Sequence, residues 1–288
     1  MGKSSFAVAL ARRVGGEVIG ADAFQVYRGI PVLTSQPGES ERGGVPHHLI
    51  GFLDPAERFD AGRFLREATR LVGEIRARGN VPVVAGGTGL YLKALAKGLA
   101  ALPEPDAELR AAVSSMPLGE AVRLLAEKDP AVPGALDLKN PARVRRALEL
   151  VLQTGRPLAE SRSGGEGGID CAGVCLVRER GELRQRIGTN VSAMLAGGAV
   201  EEVAEVSKGP CAGARRAIGF REIEALLSGA SSLENCRDAI QSATRQYAKR
   251  QLTWCRTQLN FPQVDLSEHP SPDSALGAVL GLPGFGLA

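Results

Sequence analysis

The sequence holds no apolar run long enough to cross a membrane, and its first residues carry no h-region of the kind a secretory signal needs. A soluble, cytoplasmic globular protein is therefore expected. Its cysteines, Cys171, Cys175, Cys211, Cys236 and Cys255, are odd in number, with no C-x2-C pair and no nearby histidine at zinc-ligand spacing. Small buried thiols kept reduced are the expected state. Strong net charge is lacking too. The formal value of +3 is too slight to imply a nucleic-acid partner, so that inference must rest on where the basic residues cluster. Locally the balance is lopsided, because no acidic residue stands between Gln241 and Val264. A further absence lies at the front. "MGKSS" reads as the closing half of the phosphate-binding pattern G-x-x-x-x-G-K-[ST], without the opening glycine or the strand before it.

What is present suffices for a sizeable core, with 288 residues at 44% hydrophobic content and room for a second small domain. Phe6, Val8, Ala9, Leu10 and Val14 predict a helix directly after "GKSS", and "GGEVIGAD" (15–22) predicts a short strand ending in an aspartate. "RFLREATRLVGEIRARG" (63–79) repeats apolar residues at helical spacing, and "NVPVVAGGT" (80–88) is a buried-strand pattern closed by glycines. Helix, strand, helix, strand in that order predicts an α/β fold, a P-loop-like parallel sheet flanked by helices. From Pro103 to about Arg162 the periodicity is helical only, which predicts an all-helical insert over 104–167 between core segments 1–103 and 168–288. "SGGEGG" (163–168) has linker composition, "IDCAGVCLV" (169–177) returns to strand, and the Pro/Gly-rich tail from His269 is expected to be loosely ordered.

The candidate site residues gather at the predicted strand ends. A helix N-terminus offers free N–H groups and the positive end of its dipole. Lys3 adds a charge, and Ser4 offers a hydroxyl for a Mg2+ ion on a diphosphate. Asp22 stands at the carboxyl end of its strand, where sheets of this class open a ligand crevice; capping a turn is an equally good reading of it. Gly86, Gly87 and Thr88 close the next strand and face the same crevice, although a plain strand-to-helix turn uses similar letters. The basic residues form three clusters: "RVRRAL" (143–148), "ARRAIGFRE" (214–222) and "TRQYAKRQLTWCR" (244–256). On a helix Arg245, Lys249 and Arg256 share one face beside an apolar stripe of Ala248, Leu252, Cys255 and Leu259. One such cluster is an ordinary solvated face, whereas three on separate segments suit the phosphate backbone of a folded RNA.

Six stretches, "GADAFQVYRG", "VPHHLI", "AGGTGLYLKAL", "RVRRALE", "RAIGFRE" and "TRQYAKRQLTW", occur in this order. Together they make the chain resemble the tRNA dimethylallyltransferases, also called tRNA isopentenyltransferases or the IPP transferase family. The likeness extends from Gly2 to about Trp254. It implies transfer of the five-carbon group of dimethylallyl diphosphate to N6 of the adenosine on the 3′ side of the anticodon, in tRNAs reading codons that begin with U. It implies as catalytic residues Asp22, as the base toward the adenine amine, and Thr88. Gly2, Lys3, Ser4 and Arg186 would bind the diphosphate, with Mg2+ on Ser4 as cofactor. The anticodon stem-loop would lie along Asp22, Ala23, Phe24, Gln25, Thr88, Arg110, Arg143, Val144, Arg145, Arg146, Ala147, Arg216, Ala217, Ile218, Gly219, Phe220 and Arg221. The last helix would add Arg245, Lys249, Arg250, Gln251, Trp254 and Arg256.

The chain departs from the family pattern at Ala23, where serine is expected, at Gln36, where a lysine is expected, and at Asn190, which replaces the second arginine of R-I-x-x-R. The partial phosphate loop leads us to expect an in-frame segment ahead of Met1 that encodes the missing strand, with poor stability and almost no activity without it. A monomer is expected. Two other readings share these features: a small-molecule kinase using the same loop, and a tRNA-binding protein that has lost its chemistry.

Overall fold

The computed structural model describes residues 2–285 apart from 101, 105, 163–164 and 270. Met1 and the last three residues lie outside them. In chain order the first elements are α1 (Lys3–Val14), β1 (Gly16–Gly20), α2 (Glu39–Arg42), β2 (His47–His48), α3 (Ala61–Ala77), β3 (Val81–Ala85) and α4 (Gly89–Lys97). Then come β4 (Leu99–Ala100), α5 (Ala107–Ser115), α6 (Leu118–Lys128), α7 (Val132–Ala135), α8 (Pro141–Thr154), α9 (Leu158–Arg162) and β5 (Gly165–Glu166). The chain continues through β6 (Cys175–Val177), α10 (Arg180–Ala196), α11 (Ala199–Val206), α12 (Phe220–Leu227), α13 (Leu233–Trp254), β7 (Gln263–Asp265) and α14 (Pro272–Leu280). Two compact units result: Met1–Ala96 with Ile169–Ala288, and Lys97–Gly168.

In the larger unit β1 lies between β2 and β3, all parallel, with Val18 opposite both His47 and Val83. A second parallel pair joins β6 to β7. The expected parallel sheet flanked by helices is thus the architecture found. α3 illustrates why the helices form: Asp60 caps it by accepting from the Arg63 N–H at 2.9 Å, and Phe64, Ala68, Leu71, Val72 and Ile75 present one buried stripe. With Ile19, Ile30, Phe220 and Ile240 they make the main core. Gly86 fixes the spacing at the strand ends, since a Cβ there would collide with the backbone of Ala21. The Ala21 N–H donates to the Ala85 carbonyl at 2.8 Å, and the Thr88 N–H to the Ala21 carbonyl at 3.2 Å.

Glu17, near the start of β1, is buried and yet charged. Arg78 donates to both its oxygens at 3.0 and 2.8 Å, Asn80 donates at 2.8 Å, and His48 Nε2 lies 2.7 Å away. The Arg78 hydrogen bonds come first among the causes that hold its carboxyl at about 2, below the ordinary 4.5; burial opposes them. A carboxyl depressed in the folded state stabilises the fold above its unfolded pKa, and that stabilisation is lost as pH falls from about 4.5 toward 2. Because Arg78 is half-exposed and screened, Glu17→Gln should cost about 1–3 kcal/mol at neutral pH. Urea midpoints of parent and variant should converge toward pH 2; a constant gap would contradict this.

Two expectations are corrected in this unit. The tail from His269 is not loose over its described part: α14 buries Ala275, Leu276 and Val279 against Phe6, Val264 and Leu266. Pro272 sits in its first turn, where a proline is tolerated, and Ser271 caps it by accepting from the Ser274 N–H at 3.2 Å. The cysteines are not all free buried thiols either. Cys175 on β6 is joined to Cys255 just beyond α13, with Cα atoms 6.2 Å apart. Cys171 is free but exposed, Cys211 is free and partly buried, and only Cys236 matches the buried-thiol expectation.

The smaller unit packs α5, α6 and α8 around Val113, Ala121, Leu125, Val144, Ala147 and Leu148. α8 starts on Asn140, which accepts from the Arg143 N–H at 3.2 Å, and stops at Gly155, whose φ is 65°. This unit is not helical throughout, since β4 and β5 pair antiparallel. Of the expected linker 163–168, residues 163–164 lie outside the described residues and Gly165–Glu166 form that second strand.

Candidate active site

A cavity of about 240 Å³ opens in the larger unit between the carboxyl end of β1, α10 and α13. Lys3 and Asp22 line it together, with Thr34, Asn190, Thr244, Tyr247 and Gln251 as further polar groups. Phe24, Leu33, Ile187, Val191, Met194, Ile218 and Ile240 supply apolar wall. The α13 residues that face it, Thr244, Tyr247, Ala248 and Gln251, recur at one helical face. Lys3 sits in the first turn of α1 behind Gly2, whose φ is 81°. Burial pulls the Lys3 ammonium below the ordinary lysine value, and the Asp22 carboxylate pulls it back up.

Asp22 serves both readings of it. Its Oδ1 accepts from the Phe24 N–H at 2.9 Å and from the Gln25 N–H at 3.3 Å, so the carboxylate caps its own turn while lining the cavity. Thr88 Oγ1 accepts from the Ala23 N–H at 3.0 Å and ties that turn to the β3–α4 connection. Tyr247 completes the cluster. Its phenol is raised by burial first and then by the Asp22 charge, while hydrogen bonding to Thr88 and Gln251 opposes the shift. Sequence reasoning missed Tyr247, although "TRQYAKRQLTW" contains it and it shares a helix face with Gln251, four residues on. Gly89 lets α13 come close, because a Cβ there would lie 2.8 Å from the Trp254 ring.

The remaining predicted residues fall into distinct environments. Ser4 is exposed on the first turn of α1. Arg186 is half-exposed, donates to Glu182 at 2.9 Å, and does not line the cavity, whereas Asn190 does. Ala23 packs on the core, and the Gln25 amide is engaged with the backbone of residues 34 and 35. Ala217 and Ile218 line the cavity, Gly219 caps α12 at φ 96°, and Phe220 is wholly buried. Arg216 and Arg221 are exposed and line a second pocket. Arg245, Lys249, Arg250 and Arg256 are exposed, with Arg250 over the Tyr247 ring at 5.6 Å. Ala248 and Leu259 bury the stripe beside them.

In the smaller unit Val144 and Ala147 are core residues. Arg110 and Arg146 pair with the buried Glu149 at 3.6 and 3.1 Å, and Arg145 donates to the Met116 carbonyl at 3.3 Å. Arg143 is the exposed arginine of that cluster. Among the described residues no group of three or more His, Cys, Asp or Glu could hold a metal.

A parallel α/β sheet with a mixed polar and apolar cavity at its strand ends defines a ligand-binding α/β protein carrying an inserted unit. The family is settled by comparison. A model described as IPP transferase matches residues 25–258. The chain is 43% identical over 265 residues to the tRNA dimethylallyltransferase of Sphingopyxis alaskensis, covering 89% of this chain and 87% of that one. To that of Geobacter sulfurreducens it is 39% identical, covering 96% and 92%. Among solved structures, the tRNA isopentenylpyrophosphate transferase of Bacillus halodurans matches at TM-score 0.70 and 34% identity, covering 96% of this chain and 90% of that one. A eukaryotic dimethylallyltransferase acting on tRNA matches at TM-score 0.84 and 27% identity, covering 97% and 75%. The chain belongs to the IPP transferase family.

Proposed function

We propose that this chain transfers the dimethylallyl group of dimethylallyl diphosphate to N6 of the adenosine 3′-adjacent to the anticodon, in tRNAs reading codons that begin with U, in the cytoplasm. The single observation that carries the reading is one cavity with Lys3 and Asp22 in its lining and apolar side chains over most of the remainder. In the transfer the allylic C–O bond to the diphosphate breaks, a bond from N6 to that carbon forms, and the N6 proton leaves. Asp22 accepts that proton. The adenine amine is a weak nucleophile because its lone pair is delocalised, so a carboxylate fixed by its own turn accelerates attack. Lys3 and the free N–H groups of the first α1 turn receive the charge that develops on the departing diphosphate.

Hydroxyl and phosphate oxygens suit Mg2+, so Ser4 together with the diphosphate's own oxygens would hold it, and it would neutralise part of that charge when bound. Thr88 holds the Asp22 turn through the bond it accepts from the Ala23 N–H, and Tyr247 lines the cavity beside Asp22. The base reaches the cavity only after leaving its stack. The exposed cations of α13 would meanwhile grip the anticodon stem-loop.

Neutralising Arg245, Lys249 and Arg256 together should weaken tRNA binding and flatten its salt dependence, by a slope of about 0.7–0.9 for each phosphate no longer neutralised. Affinity for dimethylallyl diphosphate should stay unchanged. Filter binding across a salt series, with donor titrations alongside, is the test; equal loss for both substrates would make this face structural, and no salt-sensitive affinity in the parent would count against the tRNA reading.

A further inference from the structure

One wall of the cavity is a turn over residues 31–35 that belongs to no helix or strand, and its Leu33, Thr34 and Ser35 line the cavity. Ser35 has φ 52°, a left-handed conformation that a side chain other than glycine adopts only when its surroundings impose it. Two side chains from outside the turn do so. Gln25 Nε2 donates to the carbonyls of Thr34 and Ser35 at 3.1 and 2.8 Å. Glu202 on α11, which does not line the cavity, accepts from the Val32 N–H at 2.8 Å and the Leu33 N–H at 2.9 Å, one bond to each carboxylate oxygen. Leu33 has little room to shift on its own, since a Cβ at Gly219 would stand 2.9 Å from its Cδ1.

We infer that Glu202, working with Gln25 through the 31–35 turn, sets the length of the allylic chain the cavity accepts. Glu202 is a positioning residue for donor selection, and the inference rests on the transfer proposed above. At about 240 Å³ the cavity lies below the roughly 300–1,000 Å³ of drug-sized clefts, so once a diphosphate takes its share of that room, the length of allylic chain admitted depends on where the walls stand. The 31–35 turn is held by side-chain hydrogen bonds to its backbone from Gln25 and Glu202, whereas the wall from α10, with Val191 and Met194, is helix. A carboxylate satisfies two adjacent N–H donors, whereas the carboxamide of Glu202→Gln accepts from one and turns its NH2 toward the other. The turn then loses its fixed position, Leu33 retreats, and longer chains enter.

The test compares dimethylallyl diphosphate with geranyl diphosphate as probes, by transfer to tRNA and by calorimetric Kd, in the parent, Glu202→Gln and Glu205→Gln. Glu205 is an exposed control on the same helix, paired with Lys208. The parent's preference for the five-carbon donor should fall about tenfold in Glu202→Gln, with KM for that donor raised and KM for tRNA unchanged, and should persist in Glu205→Gln. If Glu202→Gln does not fold, Gln25→Met removes the two bonds donated to the Thr34 and Ser35 carbonyls and should lower the preference likewise. A folded variant whose donor ratio equals the parent's overturns the inference. A parent that transfers neither donor to tRNA overturns the proposed reaction instead, and the Kd ratios then decide the inference by themselves.

Discussion

Asp22→Asn should fold like the parent, bind tRNA and the allylic diphosphate, and lose roughly 10²–10⁴-fold in transfer rate, the range for removal of a general base. Folding should survive because the bonds that shape the turn, from the Phe24 and Gln25 N–H groups, all end on Oδ1, and an asparagine carbonyl accepts them equally well. What disappears is the negative charge and the capacity to take a proton. Asp22→Ala would confound the two, since it also removes the turn's acceptor. Single-turnover transfer with saturating substrates isolates the step, and thermal melts of both variants report the turn. Transfer by Asp22→Asn within a few-fold of the parent would remove Asp22 from the chemistry and leave it a cap.

The reason Asp22 could be found from sequence is that strand ends in a parallel sheet are local facts. "EVIG" and "VPVVA" are short apolar runs closed by glycine or aspartate, and the structure gives β1 and β3 over those letters. Tyr247 and Glu202 were out of reach for a different reason. Each acts through a partner far away along the chain: Tyr247 through Thr88, and Glu202 through backbone amides about 170 residues earlier. Charge patterning made Arg245, Lys249 and Arg256 legible because exposed cations stand out against their neighbours. The same patterning was blind to burial in "RVRRALE", where Arg146 pairs with the buried Glu149 inside its own unit. Composition misled at the tail, where a Pro/Gly-rich stretch read as loosely ordered although Pro272 stands in the first turn of α14. The Cys175–Cys255 pair spans 80 residues, and no spacing rule reaches that far.

Lys3→Met should lose about 10²–10³-fold in transfer, comparable to removing one donor from an anion site, while leaving the protein as stable or more so. Lys3 is badly placed for stability. It is a cation in the first turn of a helix with no acidic residue beside it there, where the dipole repels it, and burial pulls its pKa below that of an ordinary lysine. A lysine depressed in the folded state binds fewer protons folded than unfolded, so it costs stability at neutral pH and that cost lessens as pH rises toward 10.5. Methionine of similar length removes the cost, and a gain of about 0.5–2 kcal/mol in unfolding free energy is expected. On the proposed function an anion explains the placement, because a diphosphate would meet both the ammonium and the helix end. Donor affinity should therefore fall on the alkaline side at a lower pH than an ordinary lysine would give. Since the Asp22 carboxylate is what raises Lys3, Asp22→Asn should move that limb lower still. Calorimetric titration of dimethylallyl diphosphate against pH, in parent and both variants, reads this directly. If Lys3→Met melts lower and still transfers the prenyl group at the parent's rate, Lys3 is structural and the diphosphate must be held elsewhere in the cavity.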